Sequence, residues 1–332
     1  MPRVKAIAAT SGVIPAKAGI QTDVKAIAAT SGIIPAKAGI QTAKLLYALR
    51  LSCGLFKLRI GAVIGLTAAA GAAATPGNLS GAQLFLFALA VTGAAAAAGG
   101  FNQYAERDLD RLMQRTQRRP FATGELVPGA RFLWLLATVL VVSVAAAAAL
   151  ANALAAAYVF LGAFFYGVVY TVWLKRRTWW NIVVGGAAGS FAILAGAAAV
   201  EPGVPPAVAA ALAGVLFLWT PPHFWSLAIA CRDDYVHAGV PMLPVVIGVE
   251  RCARVILAHT LALTALSLVP LAFGMGPAYA AAAVGGGAWF IAKSVRLVRQ
   301  PTREAARANF HASLAQLSAL LLATIAERLL SA

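Results

Sequence analysis

From Ala43 onward the chain alternates long apolar runs with short polar ones, and the runs recur at the length a membrane-crossing helix needs. A hydrocarbon core of roughly 30 Å takes about 20 apolar residues wound as a helix. Nine such runs are centred near residues 67, 92, 140, 163, 190, 217, 263, 286 and 320. The stretch from Phe132 to Leu174 has no charge and is twice the length of one span, which predicts a hairpin turning near Asn152. Glu201 to Pro206 (EPGVPP) and Gly274 to Pro277 (GMGP) carry turn chemistry between later runs. The pattern predicts an all-α, polytopic membrane protein whose residues 44–332 form nine transmembrane helices. Two prolines, Pro221 and Pro222, interrupt the sixth run and predict a kink or break there.

The first 43 residues behave differently. Val4 to Thr22 (VKAIAATSGVIPAKAGIQT) recurs at Val24 to Thr42 with one change, Val13 to Ile33. Two copies are too few for a solenoid, and each holds a proline and only short apolar runs, so residues 1–43 are expected to be a disordered, dispensable extension. It lacks the apolar stretch of a secretory signal, while its basic, nearly acid-free composition also fits an organellar transit peptide.

Composition sharpens the reading by exclusion. With 61% hydrophobic and only 11% charged residues, a soluble enzyme and a disordered chain are both ruled out. Cys53, Cys231 and Cys252 have no CxxC spacing and imply neither a disulfide frame nor a zinc site. The net charge of +16 raises nucleic acid as a partner until the charges are placed. Of the 27 Lys and Arg residues, 26 fall before the first span or in the loops after even-numbered spans, and only Arg328 falls on the other side. The positive-inside bias then puts the N-terminus in the cytoplasm and the C-terminus outside, and no nucleic-acid role is expected. Alanine and glycine dominate the spans, as close helix approach in lipid requires.

The loops on that basic face also hold acids. Glu106, Asp108, Asp110 and Glu125 follow span two; Asp233, Asp234 and Glu250 follow span six. Asn102, Glu106 and Asp110 are spaced i, i+4, i+8, so a continuous helix stacks their oxygens along one face at roughly 6 Å per step. Such a row suits a hard cation such as Mg²⁺, which takes one or two carboxylates together with phosphate oxygens and water. Lys175, Arg176 and Arg177 form a cationic edge on the same side. His223 follows the two prolines between Trp219, Phe224 and Trp225, where it serves either packing or a ligand. A carboxylate row, a second acidic loop and a cationic edge on one face describe a site for Mg²⁺ and a di- or triphosphate whose organic part enters the bilayer.

Three segments carry a family resemblance: NQYAERDLDRLMQRTQRRP (Asn102 to Pro120), YTVWLKRRTWWNIVVGG (Tyr170 to Gly186), and LWTPPHFW with DYVHAGVPMLPVV (Leu218 to Trp225, Asp234 to Val246). Together, over about residues 44–330, they resemble the protoheme IX farnesyltransferase (heme O synthase) family of the UbiA prenyltransferase superfamily. The resemblance implies a nine-helix bundle opening to the cytoplasmic side of a bacterial inner membrane, with the mitochondrial inner membrane as second choice. It implies transfer of the farnesyl group of farnesyl diphosphate to a vinyl group of heme B, with water addition and Mg²⁺ as cofactor. Asn102, Glu106 and Asp110 match the family's first metal-diphosphate motif and Asp234 the acid of the second. Glu106 departs from the usual Asp, and Asp234 is followed three residues later by His237 rather than a second acid. Lys175 and Arg176 match a basic pair for the diphosphate. Arg115, Arg118 and Arg119 are contacts for diphosphate or heme propionates, while His223, Trp219, Trp225 and Tyr235 are assigned to the organic parts of the substrates. Membrane lipid and the terminal-oxidase or heme A assembly machinery are the implied partners. Another ring-prenylating member of the superfamily, and a heme or small-molecule carrier, remain as alternatives.

Overall fold

A computed structural model describes residues 36–77 and 79–330, with side chains described from Leu45. The repeat expected to be loose lies outside the described residues as far as position 35; from Ala36 the chain is helical. The described residues are helices and turns, without a strand.

Helix α1 (Ala36–Leu55) meets α2 (Leu58–Ala73) at a 55° bend. Then come α3 (Gly81–Ala105), the short α4 (Arg107–Leu112) and α5 (Pro120–Thr123), and α6 (Ala130–Leu150). Helix α7 (Ala153–Phe164) continues into a π-helix over Phe165–Leu174, and the short α8 (Asn181–Gly185) leads into α9 (Ala187–Val200). Helix α10 (Ala207–Ala230) precedes two short helices, α11 (Arg232–His237) and α12 (Leu243–Val246). Helices α13 (Val249–Ser267), α14 (Pro277–Arg299) and α15 (Arg303–Leu330) complete the chain. The long helices pack in a closed ring in the order α2, α3, α6, α7, α9, α10, α13, α14, α15 and back to α2, with α2–α9 and α10–α15 contacts across it.

All nine expected span centres fall on helices, but nine membrane spans is more than length and apolarity support. Among the described residues seven helical segments are long and apolar enough to cross, or eight if the bent pair α1–α2 counts as one. The remaining rod, α14, has the length at 23 residues, but Gly285, Gly286 and Gly287 together with Lys293, Arg296 and Arg299 dilute its apolarity. The hairpin turns where expected: Asn152 caps α7, accepting the N–H of Ala155 at 2.9 Å and donating to the carbonyl of Ala198 at 2.6 Å.

The expected break at Pro221 and Pro222 does not occur, since α10 runs unbroken through both. Each proline removes a donor to the carbonyl four residues back, yet α9, α13 and α15 pack around the helix and hold its path. The carbonyls so freed are those of Phe217 and Leu218, and side-chain hydroxyls add bonds to the carbonyls on either side of them. Ser226 Oγ donates to the Pro222 carbonyl at 2.6 Å and accepts from Asn309 Nδ2 of α15 at 2.9 Å. Thr220 Oγ1 donates to the Leu216 carbonyl at 2.9 Å.

Small residues set the closest crossing. A Cβ placed on Gly196 of α9 would lie 2.7 Å from the Ala68 carbonyl carbon and 2.9 Å from Ala72 N, and one on Gly71 of α2 would lie 2.8 Å from the Ile193 carbonyl carbon. Backbone therefore touches backbone where α2 crosses α9, which is how helices gain contact when lipid offers no hydrophobic drive. Gly196→Ala is expected to cost about 1 to 3 kcal/mol by overpacking, read as a lowered melting temperature of the detergent-solubilised protein. Gly285→Ala, where an added Cβ meets nothing within 4 Å, leaves the melting temperature unchanged or raises it.

Candidate functional site

The acid row forms because the hydrogen-bond ladder survives an interruption. Helix α3 ends at Ala105 and α4 starts at Arg107, but the N–H of Glu106 still donates to the Asn102 carbonyl at 3.0 Å and that of Asp110 to the Glu106 carbonyl at 2.8 Å. Asn102, Glu106 and Asp110 therefore keep one face, and each is only 2% exposed. Buried carboxylates are tolerable only when paired. Lys175 Nζ lies 2.6 Å from Glu106 Oε1, and Arg119 Nη1 is 2.9 Å from both Asp110 oxygens. Asn102 Oδ1 accepts from Lys57 Nζ at 2.6 Å, while its Nδ2 donates to Thr171 Oγ1 at 3.0 Å. Burial pushes the Asp110 carboxyl above its ordinary value, and Arg119 works against that rise.

Two backbone irregularities bring these cations in. Lys57, in the α1–α2 bend, has φ 49° and ψ 41°, making it the single non-glycine residue with positive φ among the described residues. That left-handed conformation costs a non-glycine residue of order 1 kcal/mol. Its ammonium also donates to Tyr166 Oη at 3.0 Å and lies 5.6 Å from that ring's centroid. In the π-helix the N–H of Lys175 donates five residues back, to the Tyr170 carbonyl, at 2.9 Å. The wider turn faces Thr171 toward Asn102 and Lys175 toward Glu106, in keeping with the frequent use of π-turns at functional sites.

A second layer holds the arginine-rich loop over the row. Asp234 Oδ1 accepts the N–H of Gln114 at 3.1 Å and Oδ2 that of Arg115 at 3.3 Å. Arg115 Nη2 approaches Tyr235 Oη at 3.4 Å, and Thr116 Oγ1 donates to the Asp110 carbonyl at 3.2 Å. Phe121 packs edge-on against Tyr104 and Phe132, with centroids 5.5 and 5.0 Å away. Gln103 Nε2 caps the end of α1, donating to the carbonyls of Gly54 at 2.8 Å and Leu55 at 2.9 Å. Beside this loop and α1 opens a cavity of about 540 Å³.

The sequence-based site residues thus separate into groups. Asn102, Glu106, Asp110, Lys175 and Arg119 meet in one buried cluster, and Asp234 with Tyr235 secures the loop above it instead of joining the row. Arg176 spends its charge on Asp108, bonded at 2.8 and 2.7 Å, and this hydrogen bond holds the Asp108 carboxyl down at about 2. His223 lies in a packing seam. Its ring stacks between Trp219 at 4.1 Å and Phe310 at 4.4 Å, and Nδ1 pairs with Ser313 Oγ at 2.7 Å. Trp219 Nε1 donates to the Ser313 carbonyl at 2.8 Å, and Trp225, 1% exposed, meets His259 edge-on. These three therefore contribute to the α10–α15 and α10–α13 packing. Lys57, Tyr166 and Thr171 complete the cluster; Thr171 lies in the second of the resembling segments without a role read for it, and nothing in the local sequence marks Lys57 or Tyr166 beyond the charge of the lysine.

Two carboxylates and an amide oxygen on one face are the donor set a hard cation accepts when phosphate and water supply the remaining positions. A cage of three or more acids or histidines is absent among the described residues. The surrounding ammonium and guanidinium groups are the complementary half, suited to a diphosphate.

Residues 62–320 match the UbiA prenyltransferase family. The chain is 57% identical over 284 residues to protoheme IX farnesyltransferase 2 of Paramagnetospirillum magneticum, spanning 85% of this chain and 98% of that protein. It is 48% identical to protoheme IX farnesyltransferase 1 of the same organism, over 82% of this chain and 96% of the relative. Among solved structures, it is similar to digeranylgeranylglyceryl phosphate synthase (TM-score 0.66, 17% identity, 84% of this chain and 98% of the other). It is also similar to a UbiA homologue from Aeropyrum pernix (TM-score 0.62, 21% identity, 79% and 97%). At those identities the structures share the fold alone. The family match over most of the bundle and the level of identity to curated relatives lead to one assignment: the chain belongs to the UbiA prenyltransferase family.

Proposed function

We propose that this protein transfers the farnesyl group of farnesyl diphosphate to a vinyl group of protoheme IX, with addition of water and release of diphosphate, giving heme O. The observation that carries the reading is the buried row Asn102, Glu106 and Asp110 with Lys57, Lys175 and Arg119 paired to it. The name of the 57% identical relative supplies the substrate class.

In this reading the donor's carbon–oxygen bond ionises, the terminal vinyl carbon of the acceptor forms the new carbon–carbon bond, and water captures the cation left beside the ring, losing a proton. Magnesium, when bound, supplies divalent charge that offsets the departing diphosphate. Asn102, Glu106 and Asp110 are the residues that would hold it. Lys175 and Arg119, paired to the carboxylates, and Lys57, bonded to the Asn102 amide oxygen, are the cations that would meet the diphosphate oxygens, where charge-assisted bonds strengthen as negative charge accumulates. Asp234 positions the loop that carries Arg115, Arg118 and Arg119. The apolar interior of the bundle keeps water from the allylic cation until the carbon–carbon bond has formed. The basic loops orient the site toward the cytoplasmic side of a bacterial inner membrane, with the N-terminus on that side and the C-terminus outside.

Asp110→Ala is expected to lower kcat by about 10²- to 10³-fold while membrane insertion and yield persist, checked by heme O formation in purified protein. Near-normal turnover of that variant at saturating Mg²⁺ would remove the row from the mechanism. Lys175→Gln is expected to lower kcat by roughly 100-fold and to weaken farnesyl diphosphate binding without weakening heme binding. Diphosphate release on mixing the two substrates separates this reading from a carrier; binding without release would favour the carrier.

A further inference from the structure

The proposed donor site accounts for only part of the positive charge gathered at this face. Within the buried cluster Lys57, Lys175 and Arg119 face Glu106 and Asp110, an excess of one positive charge. A diphosphate ester of about three negative charges held with one divalent cation is an anion of roughly −1, which that excess neutralises. Arg50, Arg115 and Arg118 are among the cations outside that cluster. They line the cavity of about 540 Å³ beside the cluster, which shares Lys57 and Arg119 with it and contains one acid, Glu125. Glu125 is already hydrogen-bonded to the Tyr47 hydroxyl. Among the described residues neither Arg50 nor Arg118 pairs with a carboxylate. Set against Glu125, the three arginines leave an excess of two positive charges in the lining of this cavity.

We infer that this cavity is the seat of the two carboxylates of the acceptor porphyrin, with Arg50, Arg115 and Arg118 as their partners. The inference rests on the reading of the protein as a protoheme prenyltransferase. Protoheme carries its vinyl groups and its two propionates on different edges of the ring. With a vinyl group directed to the donor inside the bundle, the propionates point out toward the polar face. The charges match in number and sign, and Leu51, Leu55 and Ile60 give the same cavity an apolar wall for the ring. Its volume falls within the range of small-molecule pockets, about 300 to 1,000 Å³. Guanidinium groups are the side chains of choice for carboxylates because their paired N–H groups fit both oxygens. Arg115 is held for this task by Asp234, which accepts its backbone N–H, and by its contact with Tyr235 Oη.

The test compares protoheme IX with its dimethyl ester, which keeps ring, iron and vinyl groups and removes the two charges. Absorbance titrations of the purified full chain are expected to give binding of the diacid roughly tenfold tighter than the ester. In the Arg50→Gln/Arg118→Gln variant the two affinities should come within about twofold, with farnesyl diphosphate affinity unchanged, which also reports that the variant is folded. Equal affinity of the wild type for acid and ester overturns the inference whether or not the variant folds. So does displacement of the diacid from the wild type by inorganic diphosphate, or a variant that loses farnesyl diphosphate rather than porphyrin. Failure of the reaction assignment reads differently: the wild type would prefer the diacid through these arginines yet make no farnesylated heme. Equal turnover of acid and ester, conversely, would keep the reaction and remove the carboxylate seat.

Discussion

Charge neutrality at the end of a membrane bundle is the constraint that organises this protein. Two carboxylates almost wholly withdrawn from water cannot stand alone, because the penalty for an unpaired buried charge exceeds what packing at one position returns. Each is matched by a cation: Asp110 by Arg119, nine residues on in the loop after α4, and Glu106 by Lys175, 69 residues on at the end of the π-helix. Lys57, from the α1–α2 bend, donates to the amide oxygen of Asn102 and brings one further positive charge. Three parts of the fold are thereby tied to one helix face. The ion pairs that hold the site together are also what a bound metal and anion would exchange partners with, and the anion would take up the one positive charge by which Lys57 exceeds the two pairs.

The irregularities in the backbone follow from that demand. A regular α-helix through Phe165–Leu174 would carry Lys175 around the axis by a further fraction of a turn, and an ordinary right-handed conformation at Lys57 would swing its stem away from Asn102. Where function asks nothing unusual of the chain, as in α10, even two adjacent prolines are absorbed without a break, because neighbouring helices fix the path. Strain collects beside the polar cluster and regularity prevails elsewhere.

Much of this was legible in the residues. Hydrophobic run length located the nine helices of the ring but not α1, whose first residues fall in the extension expected to be loose; the uncharged stretch from Phe132 to Leu174 placed the hairpin near Asn152, and the i, i+4, i+8 spacing found the acid row. Run length found α14 as a helix, while three glycines and terminal cations leave it of sufficient length but modest apolarity for a span. Pairing information was not local and so could not be read. Asp234 follows the pattern of a metal-binding acid, yet it grips two backbone N–H groups of another loop. His223 and Trp219 looked exposed to a ligand because a broken helix was expected; with α10 intact, they pack against α15. Lys57 carried no mark beyond its charge, since a left-handed φ at lysine arises from how two helices meet.

The π-helix has a bearing on how such a chain can change over time. Because each turn there spends more than the α-helical share of residues, the segment behaves as a spare tooth in a gear: removing one residue lets the winding tighten to the common pitch while the flanking helices stay seated. The chain would insert and fold much as before, but Lys175 would come round out of phase with Glu106. Length variation in this segment therefore offers descent a route to new substrate chemistry that leaves the surrounding scaffold untouched.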